Sequence, residues 1–312
     1  MRTLACLLLL AATSSAADQA PAPRPTRTPP PLTFGVGIDV INLNVSVTDG
    51  RSRYITDLSE RDFAIFEDGI RQELSLFTHE DLPLSVVLMI DTSASMEEKL
   101  RMAQAAAMRF VNTLRPQDVA QVVQFNDRAT TLQDFTSDHA GLEAAIQHTT
   151  AAGPTALHNA LYIALKDLGR HKRAGELRRR AIVLLSDGED TASLVKDEQV
   201  LQLARASEVT IYAISLRRDR AMERERLAFS QAQHVLTALT RETGGQVFFP
   251  NSLSELDSVY DRVAEELRSQ YSIGYVSSNK RKDGRWRRIV VRTPIREDLQ
   301  IRHKLGYYAP PS

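Results

Sequence analysis

Cysteine is nearly missing from this 312-residue chain, and its one copy, Cys6, lies in an N-terminal stretch with the look of a removable segment. Without that stretch the chain has no thiol, which excludes a disulfide, a cysteine nucleophile and a thiolate metal site. An excess of charge is missing too. Lysine plus arginine (39) equals aspartate plus glutamate (39), so no net field draws the chain to nucleic acid or anionic lipid. Beyond the N-terminus no run approaches the roughly 20 apolar residues of a transmembrane helix. A Gly-x-Ser-x-Gly elbow, a phosphate loop and a His-Glu-x-x-His pair are all absent, and no fixed-period repeat is visible.

The N-terminus has the layout of a cleavable secretory signal over residues 1–17. One basic residue, Arg2, precedes the apolar run Leu7 to Leu10, and small residues follow up to Ala16 and Ala17, after either of which cleavage is expected. Cys6 precedes the leucines, whereas a lipid-modified cysteine would follow them. These features predict a secreted or periplasmic protein with no transmembrane span in the mature chain. Residues 18–33 contain the stretch DQAPAPRPTRTPPP, whose prolines fix φ and remove backbone donors, as in an extended linker.

Residues 34–80 alternate apolar and polar side chains around two turns, Thr48-Asp49-Gly50 and Glu67-Asp68-Gly69. The second turn is expected to join Phe63–Phe66 to Leu74–Phe77 as a hairpin. Asn44-Val45-Ser46 matches a glycosylation acceptor but falls in a predicted strand. From Leu84 the rhythm changes to buried strands alternating with helices. Strands are predicted at Leu84–Ile90, Val119–Phe125, Ala181–Leu185, Val209–Ile214 and Val247–Phe249. Helices are predicted at Met96–Leu114, Leu142–Gln147, Ala156–Leu168, Asp197–Ala206, Ser230–Thr243 and Leu256–Gln270. This order predicts an α/β fold over 84–270, a doubly wound, mostly parallel, Rossmann-like sheet flanked by helices.

Residues 271–310 return to short alternating strands. Arg288 and Arg292 share one face of Trp286–Arg292, with Ile289 and Val291 on the other, as on the solvated side of a sheet. Each flanking β segment is too small for its own core, so 271–310 is expected to pair with 34–80 in a small β-sandwich-like domain.

Candidate chemistry gathers at strand ends. Asp91-Thr92-Ser93-Ala94-Ser95 follows the first parallel strand, and the ligand crevice of an open α/β sheet lies beyond such carboxyl ends. Ser95 alone would serve as a helix cap, which leaves Asp91 and Ser93 unexplained. Gly153-Pro154-Thr155 opens a later helix, and Ser186-Asp187-Gly188-Glu189-Asp190 ends a later strand. Asp187 shares an edge with Asp91 if the two strands are neighbours. Glu189 and Asp190 fit a turn or cap better than a metal shell. His158 reads as a helix-surface residue, and Arg217–Arg226 as a solvated loop and helix face.

Asp91, Ser93, Ser95, Thr155 and Asp187 together resemble the von Willebrand factor type A family, whose metal-ion-dependent adhesion site has an Asp-x-Ser-x-Ser signature with a distant threonine and aspartate. The resemblance covers about Leu84 to Gln270. Pro154 departs from the glycine usual before the threonine. Asp62 to Gly69 (Asp-Phe-x-Ile-x-Glu-Asp-Gly) and Gly306-Tyr307-Tyr308 resemble segments that flank this domain in bacterial extracytoplasmic proteins.

The resemblance implies a non-enzymatic adhesion or scaffold module in which these five residues hold Mg²⁺ or Mn²⁺ and the cation accepts an Asp or Glu carboxylate from a protein partner. The residue types suit that task, because Mg²⁺ takes six oxygens at roughly 2.0–2.1 Å with only one or two carboxylates. An all-oxygen set without histidine or cysteine argues against zinc. A structural envelope protein with a stabilising metal, or a metal-dependent hydrolase or phosphotransferase, are the alternatives. Ser93 stands where aspartyl-phosphate chemistry wants a second acid.

Overall fold

The computed structural model describes residues 40–79, 82–171, 177–186, 190–216, 223–250 and 255–311. In chain order the elements are β1 (Val40–Thr48), β2 (Ala64–Glu67), β3 (Ile70–Gln72), β4 (Leu74–Thr78), β5 (Leu84–Asp91), α1 (Leu100–Asn112), β6 (Val119–Phe125), β7 (Ala129–Thr136), α2 (His139–Gln147), α3 (Leu157–Arg170), β8 (Arg179–Ser186), α4 (Asp197–Ala206), β9 (Val209–Ser215), α5 (Glu223–Thr243), β10 (Val247–Phe248), α6 (Leu256–Ser269), β11 (Tyr271–Val276), β12 (Trp286–Arg292), β13 (Gln300–Arg302) and β14 (Gly306–Tyr308).

Every residue of β5 is buried, because both faces of this central strand are covered. Val86, Leu88 and Ile90 pack among Phe110, Val111, Tyr260 and Val263 of α1 and α6. Val87 and Met89 turn the other way, toward Leu161 and Leu165 of α3 and Val200 of α4. The sheet order is β10-β9-β8-β5-β6-β7. All its pairs are parallel except β6 with β7. This is the doubly wound α/β layer that the strand and helix rhythm predicts.

Two antiparallel four-stranded sheets, β13-β1-β11-β4 and β14-β12-β2-β3, complete the described residues. Each draws strands from both ends of the chain: β1 lies between β11 and β13, and β12 pairs with β2. Their shared core contains Leu43, Val45, Ile65, Tyr271, Ile273, Ile289 and Val291. The chain therefore enters these sheets, leaves to build the α/β layer, and returns.

Several local expectations are corrected. The turn at Asp68-Gly69 joins β2 to β3, not to Leu74–Phe77, whose strand pairs with β11 in the other sheet. Asp68 (φ 49°) and Gly69 (φ 83°) both take positive φ, so the turn is tight enough for the chain to pair at once at Ile70. Strand β7 is absent from the sequence reading because an edge strand of Thr130, Thr131, Gln133 and Asp134 carries no buried alternation. Helix α1 starts at Leu100 rather than Met96. Residues Ala94–Met96 form a 3₁₀ turn instead, with the Ala94 amide drawn to the Gly153 carbonyl at 2.9 Å. Ser46, the hydroxyl of the acceptor tripeptide, is buried in a strand paired on both sides.

Arg288 and Arg292 are exposed as expected, but Arg287, on the buried face with Ile289 and Val291, points inward. Its guanidinium donates to Ser277 Oγ at 3.0 Å, to the Asn279 carbonyl at 2.6 Å and to the Arg281 carbonyl, and it lies 3.4 Å from the buried Glu67 carboxylate. Glu67 also accepts from the hydroxyls of Tyr275, Ser277 and Tyr307 at 2.8, 2.7 and 3.0 Å. Burial and the Glu67 charge push the Tyr275 phenol far above its ordinary value, so it stays a donor.

His303 carries a pH dependence. Its Nε2 accepts the Val291 amide at 3.1 Å and its Nδ1–H donates to the Lys304 carbonyl at 2.7 Å, and burial holds its pKa below the ordinary 6.5. The unfolded chain therefore binds this proton more readily. The stability tied to neutral His303 is whole above about pH 6.5 and is lost as pH falls through the depressed folded value. Urea titrations between about pH 8 and about pH 5 are expected to show a shallower acid loss for His303→Gln than for the parent; equal slopes would refute this.

Candidate metal centre

Strand β5 ends on Asp91 at the carboxyl edge of the sheet, fully buried. Its Oδ1 accepts the Ser93 amide at 2.9 Å and its Oδ2 accepts the Ser186 hydroxyl at 2.6 Å, so the carboxylate is held from both sides. Ser186 ends β8, the neighbour of β5. This adjacency is the condition under which Asp187 would share Asp91's edge, but Asp187 itself, like Glu189, lies outside the described residues.

Beyond Asp91 the chain turns through the 3₁₀ segment, and the Ser93 and Ser95 hydroxyls lie 3.0 Å apart. Ser95 does not cap α1, whose N-cap position is Lys99. Thr155 arrives on a second loop stitched to the first. The Ala152 amide donates to the Thr92 carbonyl at 2.8 Å, and the Asn126 side-chain amide donates to the Ala152 carbonyl at 3.0 Å. The Thr155 backbone exchanges hydrogen bonds with Thr191. Its own hydroxyl caps nothing among the described residues, although the residue is only 4% exposed. Gly153 (φ 76°) lets the loop double back, and Pro154 leaves these hydrogen bonds intact.

The donor set fits a hard divalent cation. Neighbouring oxygens of a Mg²⁺ octahedron stand about 2.9 Å apart, the edge implied by 2.0–2.1 Å bonds, and the Ser93 and Ser95 hydroxyls, which share a hydrogen bond at 3.0 Å, already stand at about that spacing. Asp91 supplies a buried carboxylate, and Thr155 a hydroxyl with no partner among the described residues.

The residues that hold the site in shape were the ones the sequence reading missed. Ser186 orients Asp91, and Asn126 and Thr92 tie the loops. Asp190 accepts the Leu157 amide at 2.8 Å, capping α3, and faces His158 Nδ1 at 3.0 Å, so His158 is a paired, mostly buried residue rather than a surface one. Asn159 Oδ1 accepts the amides of Leu194 and Val195, and the Asn159 amide donates to Ser193 Oγ, which pins the loop after β8 to α3. Two of these carry a sequence signal: Ser186, by its place at a strand end just before Asp187, and Asp190, which reads as a turn or cap residue.

Residues 86–189, which span most of this layer, match the family model of the von Willebrand factor type A domain. Domains of the family are typically interaction modules and commonly hold a divalent metal at a metal-ion-dependent adhesion site. Over 223 residues the chain is 26% identical to a UPF0353 protein of Nocardia farcinica, a related bacterial protein, covering 62% of this chain and 66% of that one. Among solved structures it is similar to a von Willebrand factor type A protein from Catenulispora acidiphila (TM-score 0.51, 16% identity, 76% of this chain and 52% of that chain). It is also similar to proximal thread matrix protein 1 of the mussel byssus, with a zinc-occupied adhesion-site motif (TM-score 0.51, 19% identity, 66% and 50%). At these identities the structural likeness is one of fold, and the chain spans about half the length of both solved proteins. Among the described residues no helix is long and apolar enough to cross a membrane.

Proposed function

We propose that the protein is an extracytoplasmic binding module in which Asp91, Ser93, Ser95, Thr155 and Asp187 hold Mg²⁺ or Mn²⁺ and present it to an Asp or Glu side chain of a protein partner. The observation that carries this reading is the pair of serine hydroxyls 3.0 Å apart beside the buried Asp91. A bound cation would supply an electrophilic contact for the partner's carboxylate. This chain's own residues do the positioning: Ser186 and the Ser93 amide fix Asp91, and the stitched loops hold Ser93, Ser95 and Thr155 near one another. With mostly neutral donors, the site keeps positive charge available for an anionic ligand. The role is binding without turnover, and the signal pattern at residues 1–17 supports secretion or export to the periplasm. In this reading residues 84–270 are the recognition domain, 34–80 with 271–310 form the smaller β domain, and 18–33 tether both. The zinc held by the mussel protein makes Zn²⁺ a third cation to test.

The test is capture of partners on immobilised protein in Mg²⁺ or Mn²⁺ against the same capture in chelator, for the parent and for Thr155→Ala. The expected result is a partner retained only by the parent and only with metal. Partners retained equally in chelator and by the variant would overturn the reading.

A further inference from the structure

A cavity of about 580 Å³ lies where the chain enters β10, walled by α5, α6 and the antiparallel strands β1 and β13 and set apart from the Asp91 edge. Its volume is in the range of small-molecule sites. Gly244 (φ 81°) and Gly245 build its wall. A Cβ on the first would come within 2.6 Å of the His303 carbonyl carbon, and one on the second within 1.9 Å of the Ile211 carbonyl oxygen, so close backbone packing shapes this wall.

Three arginines line the space. Arg302 is committed, with its guanidinium 2.6 Å from the Glu266 carboxylate and 2.6 Å from Gln246 Oε1. Arg241 and Arg262 have no carboxylate partner among the described residues, and Arg262 lies over the Phe248 ring at 4.9 Å from its centroid. The lining includes one carboxylate, Glu265, against these two arginines. Because Gln246 spends its oxygen on Arg302, its amide nitrogen remains a donor, and the Thr48 and Ser52 hydroxyls add to the supply. Phe248, Ile301 and Leu305 contribute an apolar side.

We propose that this cavity binds a small organic anion, a carboxylate or phosphate ester carried on a compact apolar body, with Arg241 and Arg262 taking the charged head. Such a ligand would touch the α/β layer and the antiparallel sheets at once and so stabilise their joint. The proposal does not depend on the metal centre.

Calorimetric titration of the full chain with 3-phenylpropionate, phenyl phosphate and the neutral 3-phenylpropionamide tests it, on the parent and on Arg241→Ala/Arg262→Ala. Both arginines are exposed, so the double variant is expected to fold, and its melt checks that. At least one anion should bind the parent, the amide should not, and the double variant should lose about tenfold or more in affinity. Arg241→Lys/Arg262→Lys should recover part of the loss. The stronger of the two anions identifies the head group. Failure of both anions to bind, equal binding of the amide, or undiminished binding by a folded double variant would each overturn the proposal.

Discussion

Glu266→Ala is expected to destabilise the protein by about 3–5 kcal/mol, the cost of stripping one partner from a buried charged network. Glu266 has no exposed surface. One carboxylate oxygen accepts the hydroxyls of Ser46 and Tyr212 at 2.9 and 3.1 Å, and the other accepts Tyr54 at 3.0 Å and the Arg302 guanidinium at 2.6 Å. These donors sit on β1, β9, the loop after β1 and β13, so one side chain of α6 ties the α/β layer to the antiparallel sheets. Burial and the Glu266 charge push the Tyr54 and Tyr212 phenols well above their ordinary values, which keeps both as donors. Alanine leaves four donors facing an empty site, whereas Tyr54→Phe removes one and should cost only about 1 kcal/mol. Urea unfolding measures both, with the midpoint moving and the slope held constant. A loss below about 1 kcal/mol for Glu266→Ala would show that the network contributes little to the joint.

The second large effect concerns the cation. Thermal melts of the parent in Mg²⁺, Mn²⁺, Ca²⁺ and Zn²⁺ against chelator should show a metal-dependent rise that Asp91→Ala lacks. At a free metal concentration near 100 times the dissociation constant the stabilisation is about 2.7 kcal/mol, which for a chain of 312 residues is roughly 4 °C in Tm. Asp91→Asn separates metal from fold. An asparagine oxygen still accepts the Ser93 amide and its nitrogen still meets the Ser186 hydroxyl, so the metal-free melt should stay close to the parent's while the metal response disappears. A full metal-dependent rise in Asp91→Asn would exclude Asp91 as a charge-supplying ligand. No rise in the parent with any of the four ions would remove the basis for a metal-bridged contact.

Most of the α/β layer was legible in the chain itself. Strands buried on both faces read as continuous apolar runs, and helices covering one face read as a repeat of three to four, so Leu84–Asp91, Arg179–Ser186 and Val209–Ser215 announce themselves with their helices. The Asp91, Ser93, Ser95 spacing is equally local, and so is its place at a strand's carboxyl end. Elements whose partners lie far along the chain stayed hidden. Polar β7 exists because β6 offers it a hydrogen-bonding edge, and Leu74–Thr78 pairs with β11 rather than with the strand just before it.

The same division runs through the individual side chains. Arg287, Glu67 and Glu266 look like surface charges in sequence, since composition favours exposure for them. They are buried because tyrosines and serines up to 240 positions away supply the hydrogen bonds that make burial tolerable. His158 likewise becomes a paired residue only once Asp190 folds back to cap α3. Local pattern is set by the periodicity of hydrophobic contact and is written in neighbouring letters. Long-range pairing of polar groups depends on which surfaces meet in space, and that is a property of the folded chain alone.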